Sequence, residues 1–406
     1  MGLLEKLLPK KNPTRDEFAS LVMKGLAQGG VSNVVYDSAH FILKIDANKT
    51  IFLDNGYANY CKADKTERAQ IIFRLCTEWR QSREIPSDYE AVKLCLMPVI
   101  RDQMHSHLVE INLRAKNVDV SKIASPTKPL FGPLLVGLAY DTEHSIMQVN
   151  QTSFDPWGVT FDDALKQAKD NLRDKTDPNG MREEAAGLYR SLWNDSYDSA
   201  RILMTDLIYR LDVDGNPVAF VPNRNQLWVT GDRNKAGLIV LLNLGKQAHF
   251  EPYPISPELF VLKDGVWEVY VPGDPVIRDL SASLKRHRMA LDYKQQKEAL
   301  DEIHKTQGID IFVASCLVFE RKDKSGYSAC VWTNGVESLL PRAEYISFLI
   351  DKDAKDFITL PWETAFPIVE DLMKSEPGIL PERYKVQSFP DQARLTRLRE
   401  AASVSN

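Results

Sequence analysis

The sequence predicts an α+β fold of successive helix–β-hairpin/sheet–helix units with mainly antiparallel strands. Three observations carry that prediction. Stretches with apolar residues three and four apart alternate with short strand-like runs. Tight polar turns such as Lys263-Asp264-Gly265 join neighbouring strand runs as hairpins. The order helix, strands, helix recurs over residues 14–82, 196–247 and 284–374, without a shared residue pattern.

Residues 14–26 form the first predicted helix. Thr14 caps it, Glu17 stands at the capping-box position, and Phe18, Leu21, Val22 and Leu26 make one apolar stripe. Strands follow at 34–36, 41–45 and 50–53. Asp54-Asn55-Gly56 reads as a turn, and a helix covers 65–82. Residues 88–116 read as mainly helical, interrupted at Pro98. His105 and His107, two apart, would point to different faces of a helix and make no metal pair. A strand pair is predicted at 134–141 and 146–150, with a turn at 142–144. Phe154-Asp155-Pro156-Trp157-Gly158 is an aromatic turn before a helix over 161–172 capped by Thr160. Trp157 reads as a packing lid on that helix or, alternatively, as a ligand-stacking ring. Residues 174–183 read as an exposed linker.

Residues 194–247 combine apolar periodicity with polar residues that have no obvious structural duty. Tyr197, Ala200, Leu203, Met204, Leu207, Ile208 and Leu211 predict a helix with Ser196 as N-cap and Asp198 in its first turn. Asp214-Gly215-Asn216-Pro217 stops it. Strands at 218–221 and 226–230, joined by Pro222-Asn223-Arg224-Asn225, precede a buried helix over 236–244. The candidate ligand-binding residues are Tyr197, Asp198, Arg201, Asn223, Arg224 and Asn225, together with Trp157. Asp198 and Arg201, three apart, would share a helix face. The Asn-Arg-Asn turn offers a planar guanidinium and two amides to an anion or carboxylate. The same residues also read as a surface ion pair and ordinary turn chemistry.

Further on, 259–262 and 266–271 form the clearest hairpin, and Pro272-Gly273-Asp274-Pro275 marks a domain boundary. A polar helix over 284–305 carries a narrow stripe of Met289, Tyr293, Leu300 and Ile303. Its Lys285-Arg286-His287-Arg288 run reads as a solvated face, without the interleaved aromatics of a nucleic-acid patch. Strands are predicted at 309–319, 327–332, 336–340 after an Asn334-Gly335 turn, and 345–350. A helix over 362–374 is kinked or delayed by Pro367. Cys316 and Cys330 fall nearly opposite across the first hairpin of this region, as packed thiols. The tail after Tyr384 reads as polar and frayed, with Leu395 and Leu398 positioned to dock a short helix. The expected domains are 1–125, 126–275 and 276–385, with a tail over 386–406.

A chain of 406 residues with 44% hydrophobic and 26% charged residues is composed like a globular protein of roughly two to four domains. The net charge of -5 argues against a general nucleic-acid binder. Five scattered cysteines with no Cys-x-x-Cys pair fit reduced thiols in a cytoplasmic protein and speak against zinc. The amphipathic start, residues 1–11, lacks a signal-peptide core, and Lys6 breaks the myristoylation pattern. No apolar run is long enough to span a bilayer, so no membrane partner is expected. Phosphate-loop, dinucleotide, nucleophile-elbow and His-Glu-x-x-His motifs are missing. Asp212 to Asn216 departs from a calcium loop in its glycine position. His144, His249, His287 and His304 are isolated in sequence, and neither metal nor cofactor is implied.

Several segments taken together resemble the YtpQ-like family of uncharacterised bacterial proteins. These are Leu96-Met97-Pro98-Val99-Ile100-Arg101, Leu138-Ala139-Tyr140-Asp141, Trp157-Gly158-Val159, Ser196-Tyr197-Asp198-Ser199-Ala200-Arg201-Ile202-Leu203 and Val221-Pro222-Asn223-Arg224-Asn225-Gln226-Leu227. The resemblance covers residues 14–273, with Ser196 where the family usually has glycine and 284–374 as an added unit. It implies a fold and a bacterial cytoplasmic setting, not a chemistry. The expected function is a non-catalytic binding or adaptor protein with a protein partner or a small anionic ligand. The alternative is a hydrolase or transferase that binds a small anion through Asp198, Arg201 and Arg224.

Overall fold

The computed structural model describes residues 12–38, 41–46, 49–78, 85–116, 120, 124–142, 145–248, 251–321, 325–351 and 356–404. The amphipathic start, His144, His249 and the end of the helix expected to reach residue 82 lie outside the described residues. The fold is α+β, and all strand pairs but two are antiparallel among the described residues.

The N-terminal unit runs α1 (Arg15–Gln28), β1 (Val35–Asp37), β2 (Ile42–Asp46), β3 (Lys49–Phe52), α2 (Asp54–Lys62) and α3 (Lys65–Glu78). Thr14 and Glu17 close the capping box at the start of α1. Phe18, Phe41, Tyr57 and Tyr60 pack ring against ring beneath the sheet β1-β2-β3. Asp54-Asn55-Gly56 opens α2 instead of making a turn. Asp54 sits in the first turn, where a carboxylate suits the helix dipole. A Cβ at Gly56 would stand 2.8 Å from Leu75, so close helix packing accounts for that glycine.

The middle of the chain runs α4 (Tyr89–Val92), β4 (Leu96–Asp102), α5 (Gln103–Ala115), β5 (Thr127–Pro129), β6 (Leu134–Thr142), β7 (Ser145–Gln148), α6 (Gln151–Phe154) and α7 (Phe161–Asp174). It continues with β8 (Met181–Ala185), β9 (Leu188–Ser191), a 3-10 segment Asp198–Leu203, α8 (Thr205–Ile208), β10 (Pro217–Phe220), β11 (Trp228–Gly231), α9 (Lys235–Ala248), β12 (Leu259–Lys263) and β13 (Val266–Val269). Pro98 does not kink a helix. It lies inside β4, an edge strand whose one partner is β6, where a missing N–H is tolerated. The expected linker 174–183 contains the start of β8, an edge strand of mostly exposed residues that reads as polar because little of it is buried.

The expected helix from Tyr197 to Leu211 is a 3-10 segment and a short α8. Ser196 has φ +72° and is no N-cap; Asp195 Oδ1 accepts the Tyr197 N–H in its place. Met204, at φ -100° and ψ 75°, then leaves helical space and separates the two pieces. The hairpin β12–β13 turns through Asp264 and Gly265, both at positive φ, as a two-residue hairpin turn requires. β12 joins the six-stranded sheet β13-β12-β10-β11-β9-β8.

The remainder runs α10 (Pro275–Gln307), β14 (Phe312–Val313), β15 (Leu317–Glu320), β16 (Gly326–Thr333), β17 (Ser338–Pro341), β18 (Tyr345–Leu349), β19 (Phe357–Pro361), α11 (Trp362–Val369), β20 (Met373–Ser375), β21 (Arg383–Val386) and α12 (Gln392–Val404). Pro272-Gly273-Asp274-Pro275 leads straight into α10, capped by Asp274 with proline at its start. Over its 33 residues α10 packs against α9 and α5, then reaches β14, β15 and β16. Its buried face mixes apolar residues with polar ones: Ser281, Arg288, Asp292 and Gln296 are all covered, whereas Met289 is exposed. Asn334-Gly335 does not close a hairpin, because β17 pairs with β14 and β21 while β16 pairs with β15 and β18. Cys316 and Cys330 are buried free thiols, as expected. The predicted helix over 362–374 ends at Val369, and Met373 begins β20. The expected frayed tail instead contains the second half of β21, a central strand, and α12 docks Leu395 and Leu398 into the core.

Candidate anion site

Three buried arginines serve as structural cations, and a fourth, half-buried one marks a candidate site. Arg201 is fully buried. Its guanidinium forks onto Asp195 at 2.9 and 2.7 Å, donates to Thr176 Oγ1 at 2.9 Å and lies 4.2 Å from the Trp193 ring. Arg383, also fully buried, donates to Gln296 and to the carbonyls of Ala314, Leu339 and Tyr293. Burial lowers its pKa to about 10. Arg288 sits 2.8 Å from the Asp292 carboxylate. The fourth, Arg101, has only the Ile100 carbonyl at 3.2 Å and no ion pair among the described residues.

Arg101 ends β4 and reaches a cavity of about 620 Å³. Burial, and then the charge of Arg224, lower its pKa to about 10. Arg224 borders the same cavity, likewise without a carboxylate partner among the described residues. Its position is fixed from several sides. The Arg224 N–H donates to Tyr253 O at 3.0 Å, and its carbonyl accepts the Ser199 N–H at 3.2 Å. Asn223 accepts the Asn225 N–H through Oδ1 and donates through Nδ2 to Ala248 O. Two like charges held together in partly desolvated surroundings are costly unless an anion joins them.

The first turns of α5 add Gln103, His105, Ser106 and His107 to the cavity wall, and Gln148 and Tyr253 border it elsewhere. His105 Nδ1 and His107 Nε2 are buried without a hydrogen-bond partner. Burial, then the charges of Arg288 and Arg101, lower the His105 pKa to about 4, so its ring is neutral at neutral pH. The amide end of α5 is already occupied. Asp102 Oδ1 accepts the Met104 and His105 N–H groups, and Pro133 O accepts that of Gln103. Anion recognition here therefore rests on side chains, not on the helix terminus.

Of the residues predicted from sequence, Arg224 alone borders the cavity. Tyr197 is buried behind it, with an unpartnered hydroxyl whose pKa burial raises and on which Asp141, Arg224 and Arg101 all act. Asp198 and Arg201 are not a surface pair: both are fully buried, and Arg201 chooses Asp195. Burial would raise the Asp195 carboxyl, but the Arg201 fork outweighs it and the net shift is downward. Asp198 turns to Ser191 and Asn194, and burial raises its pKa. Asp198, Arg201 and Arg224 thus form no common cluster. Asn223 and Asn225 shape the turn. Trp157 is a core residue, donating to Pro86 O at 2.9 Å and packed on Tyr89 and Phe154. Arg101 was missed because β4 read as helix. Its signal was a cation directly after the apolar run Leu96-Met97-Pro98-Val99-Ile100 and directly before Asp102, which caps α5.

The basic run on α10 is consumed by partners. Lys285 pairs with Glu258, Arg286 with Glu344 and Arg288 with Asp292. Among the described residues no helix is long and apolar enough to cross a membrane, and no cluster of His, Cys, Asp and Glu is arranged to hold a metal ion. Comparisons with protein families, with curated proteins and with solved structures give no match.

Proposed function

We propose that this is a non-catalytic binding protein whose ligand is a small anion held between Arg101 and Arg224. The observation that carries this reading is Arg101. It is the one of the four arginines whose guanidinium lacks a built shell of acceptors among the described residues, and Arg224 borders the same cavity. Clustered, perturbed charges in a cavity favour a binding site over a structural pair. Both arginines lie in segments that carry the resemblance to the YtpQ-like family. The free thiols support a reducing compartment.

Calorimetric titration of the full chain with phosphate, sulfate and acetate tests the reading. At least one anion binds, and Arg101→Met or Arg224→Met weakens it at least about tenfold, the scale of a lost charge-assisted hydrogen bond. Arg101→Met also leaves the protein equally or more stable to urea, since it removes an uncompensated charge. No anion binding, or marked destabilisation by Arg101→Met, would overturn the assignment.

A further inference from the structure

The cavity is much larger than the two arginines need. An inorganic oxyanion is comparable to a few waters, each occupying about 30 Å³ in the liquid, and would leave most of the 620 Å³ unfilled. The remaining wall runs along α5. Gln103 and Ser106 border the cavity near the Arg101 end, and Val109 and Leu113 border it farther down the same helix. From Gln103 to Leu113 the helix advances roughly 15 Å. Ile100, Leu135, Ile255 and Leu380 line the cavity from other parts of the chain. Glu110 lies on this wall, but Arg114 one turn away pairs with it, so it presents no unpaired negative charge.

From this we infer that the ligand is an amphipathic anion, with a single anionic head on Arg101 and Arg224 and an unbranched apolar chain lying along α5 toward Leu113. This rests on the anion site proposed above and adds the chemical class of what fills the rest of the cavity. A buried methylene contributes about 0.8 kcal/mol, so chain length dominates affinity once the head is anchored. The shared chemistry covers fatty carboxylates and alkyl phosphates, which differ only in the head.

The test is calorimetric titration of the full chain with acetate, butanoate, hexanoate, octanoate and octyl phosphate, each below its micelle concentration, with octanol as the uncharged control. Affinity should rise about fourfold per added methylene, octanol should bind at least about tenfold more weakly than octanoate, and Arg224→Met should remove that difference. Stronger binding of octyl phosphate than octanoate identifies the phosphate head, and the reverse identifies the carboxylate. Val109→Gln, at an exposed position, should weaken octanoate while leaving acetate unchanged. Affinity independent of chain length, with acetate still dependent on Arg224, overturns this inference and leaves the anion site standing. Octanol binding as tightly as octanoate overturns both.

Discussion

The Arg224 guanidinium lies 3.8 Å from the centre of the Tyr253 ring, while the Arg224 N–H donates to the Tyr253 carbonyl. Ring and backbone of one residue therefore fix both ends of the arginine. A cation over an aromatic face gains about 0.5–2 kcal/mol depending on desolvation. Tyr253→Leu is expected to weaken anion binding about fivefold, and Tyr253→Phe to preserve it. Equal loss in both variants would place the effect on the phenol hydroxyl.

His105 makes stability depend on pH. Its folded pKa of about 4 lies below the ordinary value of 6.5, so the unfolded chain takes up the proton first. The stabilisation is complete above 6.5 and is lost as pH falls toward 4. Asp102 and Asp292 act with the opposite sign. Burial raises each from 3.8 to about 6, so they disfavour the folded state as pH rises through that window. Comparing variants isolates the histidine. Between pH 7 and pH 5, His105→Gln should lose about 2 kcal/mol less stability than the unaltered chain. Parallel urea-unfolding curves at both pH values would refute a buried neutral imidazole.

Arg201 is a framework residue. Arg201→Met leaves Asp195 and Thr176 without their donor, and should cost about 3 kcal/mol in urea unfolding. Anion affinity of the folded fraction should be unchanged. A loss of affinity at full stability would return Arg201 to the binding site.

Ser196, at φ +72°, occupies the left-handed region without a side-chain hydrogen bond among those described. Ser196→Gly is expected to raise stability by up to about 1 kcal/mol, and Ser196→Val to lower it. Thermal unfolding of the two variants decides the sign. Glycine fits the left-handed backbone that serine is made to adopt here.

Elements whose local signals agreed were legible in the sequence. Thr14 and Glu17, Thr160, and Asp264-Gly265 each met the geometry that their chemistry predicts. Elements whose burial comes from distant partners were not. Arg383 lies close to an expected polar tail, yet it is covered because acceptors from α10 and from β17 converge on it. The basic run of α10 looked solvated because Glu258 and Glu344, the partners of Lys285 and Arg286, come from elsewhere in the chain. At the candidate site the turn holding Arg224 was visible as turn chemistry. Arg101 was hidden by a proline that suggested a broken helix and in fact sits in an edge strand. No residue spacing can reveal that two cations more than a hundred positions apart share one cavity.

Because α10 begins at Pro275, the most inviting place to divide the gene is a poor one. A cut there would take Ile277 and Leu284 from the apolar layer over α9, and Arg288 from the neighbourhood of Asp102. The shorter fragment would carry a helix with a bare flank, and the longer one bare flanks on α5 and α9. Leu380, which borders the cavity, would also be left on the wrong piece. Any shuffling of this chain with other domains must therefore move the material on both sides of that helix together, as one indivisible cargo.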